Sequence, residues 1–242
     1  MMVLGIDTSS AIASVALVES GKIICEESVS DLGRGGGAPA ARANHAEVVL
    51  LLIDMLLGRA AVALADVSGI AVTIGPGSFT GLRIGLSTAK GLTYGVNAPV
   101  VGIPTLLALA ARVNDHEGLI CPLLDARKKE VYAALFHRTD QGLERISDDV
   151  VASPEQVVES VRSVADRKAC LFLGDGAWVY RNAIQAGLGD RALFTSGDFY
   201  PSTAAAAARL GGKKILSGER ETAGSLAPVY LRPSEAELKG RA

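Results

Sequence analysis

Three short segments of the chain carry residue types that could do chemistry. The first is Asp7-Thr-Ser-Ser10, a carboxylate and three hydroxyls directly after an apolar run. Such a turn suits a phosphate–magnesium site, and it equally suits a tight turn in which Asp, Ser and Thr bond nearby backbone N–H groups. Asp7, Thr8, Ser9 and Ser10 are therefore candidate phosphate contacts. The second segment is Gly75-Pro-Gly-Ser-Phe-Thr-Gly-Leu-Arg-Ile-Gly85, placed between an apolar β-type run and a periodic helical stretch. A strand that ends in a glycine turn and feeds a helix is a common phosphate cradle. The side chains are wrong for the familiar versions. Gly81 is followed by Leu82 and Arg83 rather than Lys-Ser/Thr, and Thr80 stands where a dinucleotide loop needs its third glycine. The third segment, Asp125-Ala-Arg-Lys-Lys-Glu130, is a polar turn with bulky side chains where close approach to phosphate would need glycines. Arg127 or Lys128 would meet a phosphate only at its rim. Ser78 is no nucleophile elbow, because Pro76 stands two residues before it. His45, His116 and His137 are scattered without metal-ligand spacing.

Whatever these residues do, an α/β framework must position them. At 242 residues the chain can form one large domain or two smaller ones. Its apolar content of 49% with only 5% aromatic residues points to buried Ala, Val, Leu and Ile strands covered by helices. A formal charge of −2 argues against a free-standing nucleic-acid binder. Cys25, Cys121 and Cys170 form no C-x-x-C pair, and the apolar neighbours of Cys121 and Cys170 read as those of buried thiols in a reducing compartment. Met2 to Ile6 runs into a polar turn and reads as a first strand rather than a leader. The longest apolar run, Val48 to Leu57, is interrupted by Asp54 and falls short of the ~20 residues of a membrane span. A soluble, cytoplasmic protein without membrane contact is expected.

The pattern predicts strands at Val3–Ile6, Ala13–Val18 and Ile23–Cys25, then a loop over Gly33–Ala43. A helix follows from Asn44, which acts as N-cap with Glu47 in the capping-box position. Val67–Ile74 leads into the glycine segment and its helix to Tyr94; Val100–Ile103 and a helix from Pro104 to Arg112 follow. The second half repeats the order. Cys121–Leu124 ends in Asp125, Val131–Phe136 is the next strand, Pro154–Ala165 a helix, and Ala169–Leu173 ends in Gly174-Asp-Gly176. Asp7 matches Asp125, and Gly75-x-Gly77 matches Gly174-x-Gly176, as an internal duplication would give.

Two helices invite packing. Val49, Leu52, Ile53 and Leu56 of the first can face a sheet, which leaves Val48, Leu51 and Met55 for another surface. Gly81, Gly85 and Ala89 of the second recur every four residues, a spacing that lets another helix approach closely. That helix belongs either to a partner or to the chain's own crossover layer.

Two lobes that each begin with strand–Asp–turn–strand resemble the duplicated actin-like ATPase (ASKHA) fold, where the two turns grip a nucleotide's phosphates. The lobes would be residues 1–103 and 104–242, with the 104–112 helix and the C-terminal segment free to cross between them. Residues 5–9, 75–85, 89–92, 125–132 and 228–232 together resemble the TsaB (YeaZ) family, which assists synthesis of threonylcarbamoyladenosine in tRNA. The resemblance implies a non-catalytic scaffold that docks on TsaD, with the ATPase TsaE as a further partner and a homodimer when TsaD is absent. It implies an interface of His45, Val48, Leu51, Met55, Leu82, Leu86 and Lys90. It implies no catalytic residues, no metal, no cofactor of this chain's own and no direct nucleic-acid contact, with ATP or ADP confined to a composite site between subunits. TsaD-like metal binding would need ligands that residues 102–111 lack. The competing expectation is an ATP-binding transferase or phosphotransferase acting alone.

Overall fold

The computed structural model describes residues 1–30, 45–96, 98–165, 168–195 and 202–232, with side chains from Val48 onward in the first helix. In chain order its strands and α-helices begin with β1 (Met2–Asp7), β2 (Ile12–Glu19), β3 (Lys22–Ser30) and α1 (His45–Ala60). Then come β4 (Gly69–Gly75), α2 (Phe79–Val96), β5 (Val100–Pro104) and α3 (Thr105–Ala111). The middle of the chain forms β6 (Gly118–Asp125), β7 (Val131–Ala133), β8 (Phe136–Thr139), β9 (Gly142–Arg145) and β10 (Val150–Ala152). It continues with α4 (Pro154–Val164), β11 (Cys170–Leu173), α5 (Asp175–Val179), α6 (Arg181–Leu188) and β12 (Ala192–Phe194). The last helix is α7 (Thr203–Leu216).

These elements form two units. One contains the described residues up to Ala108 together with 202–232; the other starts at Leu109 and includes β12. The first unit thus runs past residue 103 to Ala108, and α7 belongs to it as well.

In the first unit the sheet order is β3-β2-β1-β4-β5. β1 pairs antiparallel with β2 and parallel with β4, so β1 is central and buried from Val3 to Asp7. Such a strand needs helices on both sides. Alternation supplies the two faces. Leu4, Ile6, Val15 and Leu17 pack with Val49, Leu52, Ile53 and Leu56 of α1 and with Leu86 and Ala89 of α2. Val3, Val18, Ala71 and Val101 pack instead with Ala207 and Ala208 of α7. α7 lies close to the sheet because its inward residues are alanines and because Gly5 has no side chain; a Cβ there would strike the Ala204 carbonyl.

The second unit repeats the plan as β10-β7-β6-β11-β12, with β6, β11 and β12 parallel and β7 antiparallel to β6. The expected single strand Val131–Phe136 is two strands. β7 pairs with β6 and β10, whereas β8 turns to pair with β6 and β9. At the break, the Leu135 N–H donates to Ser147 Oγ at 2.9 Å instead of to a ladder partner. α4 starts as its sequence demands, with Ser153 and Gln156 closing a capping box ahead of Pro154. The Asn44 cap and the 33–43 loop lie outside the described residues.

Candidate functional site

Three donors converge on one oxygen of Asp7. The Ser9 hydroxyl and the Thr73 hydroxyl each donate to Oδ1 at 2.6 Å, and the Ser9 N–H donates at 3.1 Å. Asp7, Thr8 and Ser9 are all buried, and Ser10 is half-buried, exchanging bonds with the Ile12 backbone. The Thr8 hydroxyl donates to the Gly81 carbonyl at 2.7 Å. The Ser78 N–H donates to the Ser9 carbonyl at 2.7 Å, and Ser78 Oγ accepts from Gly81 N–H at the start of α2. The glycine segment is thus fastened to the first turn of its own chain.

Asp7, Thr8 and Ser9 make the local bonds of a tight turn and tie it to β4 and α2. One expectation is corrected. Gly81 and Gly85 do not seat a helix of either kind. A Cβ on Gly81 would run into the Thr8 carbonyl, and one on Gly85 into Thr8 Oγ1. Their four-residue spacing lets the β1–β2 turn lie against α2, with Ala89 buried further along in the same core. Gly75 N–H is held from the other side by Thr105 Oγ1 at 3.2 Å.

The corresponding turn of the second unit is built differently. Arg127, Lys128 and Lys129 all have φ between 53° and 64°, left-handed backbone in three consecutive non-glycine residues. Each such residue costs roughly 1 kcal/mol or more. The turn is closed by Ala126 N–H to the Glu130 carbonyl at 2.9 Å and by Arg127 N–H to Asp125 Oδ1 at 3.0 Å. The Arg127 side chain is 88% exposed, and Lys128 is exposed beside it. Beneath them, Asp175 Oδ1 accepts from the Asp125 and Gly176 N–H groups at 3.0 and 2.8 Å. Burial pushes the Asp175 carboxyl above the ordinary carboxylate range, against those two bonds, which lower it.

The outward side of α1 and α2 carries exposed apolar side chains. Leu50, Leu51 and Met55 are 54%, 63% and 55% exposed. Between the helices runs a groove of about 620 Å³ whose walls include Leu50, Phe79, Arg83, Ile84, Ser87 and Leu92. Of the expected interface residues, Leu51 and Met55 lie on this surface and Lys90 is half-buried beside it. Val48, Leu82 and Leu86 do not. All three are buried in the core, because at 100° per residue they fall on the stripe that covers the sheet. The His45 side chain lies outside the described residues.

Sequence reasoning passed over Leu50, Phe79, Arg83 and Tyr230. The outward stripe of α2, at Thr80, Ile84, Ser87 and Gly91, was readable from its alternating four- and three-residue spacing. Tyr230 was not, because it arrives from far along the chain. It stacks on Phe79 with centroids 4.7 Å apart, while Val229 N–H donates to the Ile74 carbonyl at 2.7 Å.

Cys121 and Cys170 are fully buried, as expected of inert thiols, and burial pushes the Cys170 thiol well up. Among the described residues no group of three or more His, Cys, Asp and Glu side chains could hold a metal ion. Among the same residues no helix is long and apolar enough to cross a membrane.

Residues 24–239 match the family model described as TsaD: tRNA N6-adenosine threonylcarbamoyltransferase. The chain is 31% identical over 242 residues to the tRNA threonylcarbamoyladenosine biosynthesis protein TsaB of Bacillus subtilis (strain 168), covering 99% of this chain and 97% of that protein. It is 38% identical over 109 residues to the tRNA N6-adenosine threonylcarbamoyltransferase of Geotalea uraniireducens (strain Rf4), covering 43% of this chain and 32% of that enzyme. Among solved structures, YeaZ from Pseudomonas aeruginosa superposes with a TM-score of 0.75 at 28% identity, over 95% of this chain and 99% of the other. The ethanolamine utilization protein EutJ from Carboxydothermus hydrogenoformans shares the duplicated actin-like fold, with a TM-score of 0.53 at 11% identity over 88% of this chain and 90% of that one.

Proposed function

The chain belongs to the TsaB (YeaZ) family of tRNA threonylcarbamoyladenosine biosynthesis proteins, and from that premise we propose that it is a non-catalytic subunit that docks on a TsaD-type transferase. The docking face is the outward side of α1 and α2. One observation carries this reading: three large apolar side chains of α1 stand more than half exposed beside an open groove walled by Leu50, Phe79, Ile84 and Leu92. Adjoining exposed apolar side chains of this kind mark interaction surfaces. In the same reading the glycine segment serves the face indirectly, by fixing α2 to the first turn so that its outer stripe is presented rigidly. The transferase partner supplies the chemistry, a TsaE-type ATPase joins as a further subunit, and two copies of this chain pair through the same face when the partner is absent. The chain needs no metal or nucleotide of its own.

Size-exclusion chromatography of the purified chain with its organism's TsaD-type protein tests the proposal. The wild type is expected to co-elute with the partner. A Leu51→Asp variant, which forces an unpaired carboxylate into the contact, is expected to bind about 100-fold more weakly or worse. Retained binding by a folded Leu51→Asp chain would remove α1 from the interface. Hydrolysis or group transfer with Mg-ATP by the chain alone would instead favour the independent enzyme.

A further inference from the structure

The groove between α1 and α2 is lined by Leu50, Phe79, Ile84 and Leu92 with the hydroxyls of Thr80, Ser87 and Thr88, and it carries charge at one point. Arg83 is its one charged lining residue among those described. The guanidinium is held in place from two sides. Its Cζ sits 3.9 Å from the Phe79 ring centroid, and its Nε donates to Tyr230 Oη at 3.0 Å. Tyr230 is in turn stacked on Phe79, so the three side chains brace one another. Phe79 stands at the first turn of α2, and Tyr230 follows the segment bonded to β4. Among the described residues no carboxylate pairs with Arg83, and Nε is one of its five donors.

We propose that Arg83 is the specificity-determining residue of this face and takes a carboxylate from a helix of the TsaD-type partner; this rests on the docking reading above. Desolvation sets what this face accepts. A partner that covers the groove takes Arg83 out of water. A guanidinium buried without an anion is strongly destabilising. Bracing by Phe79 and Tyr230 works against its swinging out to solvent. The partner must therefore bring an acceptor to the terminal nitrogens, and a planar fork matches a carboxylate in two-point geometry. An otherwise apolar helix that lacks this acid is rejected, since it would strand the charge.

Calorimetric titration with the purified TsaD-type protein, at about 50 and about 500 mM NaCl, tests this. The wild type is expected to weaken several-fold at the higher salt. Arg83→Met should bind about 10- to 100-fold more weakly at low salt and lose most of that salt dependence. Arg83→Lys should keep the salt dependence but recover only part of the affinity, and Tyr230→Phe should lose a few-fold. Thermal melting of each variant separates these effects from a loss of folding, since a residue that only pins Tyr230 would change the melt and leave the salt dependence intact. If the wild type binds and Arg83→Met matches it within about twofold at both salts, the carboxylate assignment is wrong and the docking reading stands. If the wild type does not bind, both fall. If Arg83→Met keeps partner affinity but loses retention of tRNA by the complex, the anion is a phosphate and the carboxylate is overturned.

Discussion

Thr8 is the residue on which the two halves of the candidate site meet. Its hydroxyl donates to the Gly81 carbonyl, and its own side chain and carbonyl fill the space left by the missing Cβ atoms of Gly81 and Gly85. Thr8→Val removes one of the two donors to that carbonyl, which keeps the helical Gly85 N–H, and chemical denaturation should report a loss of about 0.5–1.5 kcal/mol. Gly85→Ala presses a methyl onto Thr8 Oγ1 and should cost a comparable amount or more, by overpacking. An unchanged urea midpoint for both variants would contradict the contact. A second residue-scale prediction concerns Asp175. Its pKa is raised by burial, so between the ordinary carboxylate value of about 4 and its higher folded value the native chain holds a proton that the unfolded chain has released. Its contribution to stability therefore falls as pH rises through that window. Asp175→Asn keeps an acceptor for the Asp125 and Gly176 N–H groups, so it should be at least as stable as the parent at pH 7 and should flatten this part of the stability–pH curve. A steeper slope in the variant would show that the carboxylate is better solvated than its burial implies. At this scale the sequence marked the right residues but not their partners. The spacing of Gly81, Gly85 and Ala89 announced a close approach, yet what approaches lies 73 positions earlier.

Elements divide the helical residues into two populations that mutation should separate. Leu51 and Leu86 were both expected at an interface, but only Leu51 is exposed. Leu51→Asp should leave the melting temperature within a few degrees of the parent. Leu86→Asp puts a charge into the core shared by α2 and the sheet, and should cost several kcal/mol and yield an unfolded or insoluble chain. Equal melting temperatures would refute the division of faces. Apolar periodicity was enough to orient the core side of α1, where Val49, Leu52, Ile53 and Leu56 all face the sheet. It misplaced Val48, which lies at the edge of that stripe and is buried with it. Periodicity gave no sign of α7. Residues 203–208 are buried one after another, so a run of alanines fits flat against the sheet and shows no alternation of large apolar and polar positions. The close fit makes its own prediction. Ala207→Leu adds volume where helix and sheet already touch, and calorimetry should find it destabilised by about 1–3 kcal/mol.

For the molecule as a whole, the repeated order β3-β2-β1-β4-β5 and β10-β7-β6-β11-β12 shows why the duplication was legible. Each half carries its own Asp turn and Gly turn at matching positions. The unit boundary was less so, because nothing in residues 202–216 says which sheet they cover; that is decided by Gly5 and the small residues of β4, far away in sequence. A chain ended after Thr195 should therefore keep protected amides in β6 and β11 but lose them in β1 and β4, by hydrogen exchange. Persisting protection in β1 would show that α7 is dispensable. The return of α7 also fixes an order of events during synthesis. β1 is made about 200 residues before the helix that covers its second face, a wait of roughly 10–40 s at ordinary elongation rates. The segment from β6 to β12 is finished within that interval and can settle first. The earliest-made sheet of this protein is thus the last to be sealed, and a message broken before α7 yields a product with one apolar sheet face bare to chaperones and proteases.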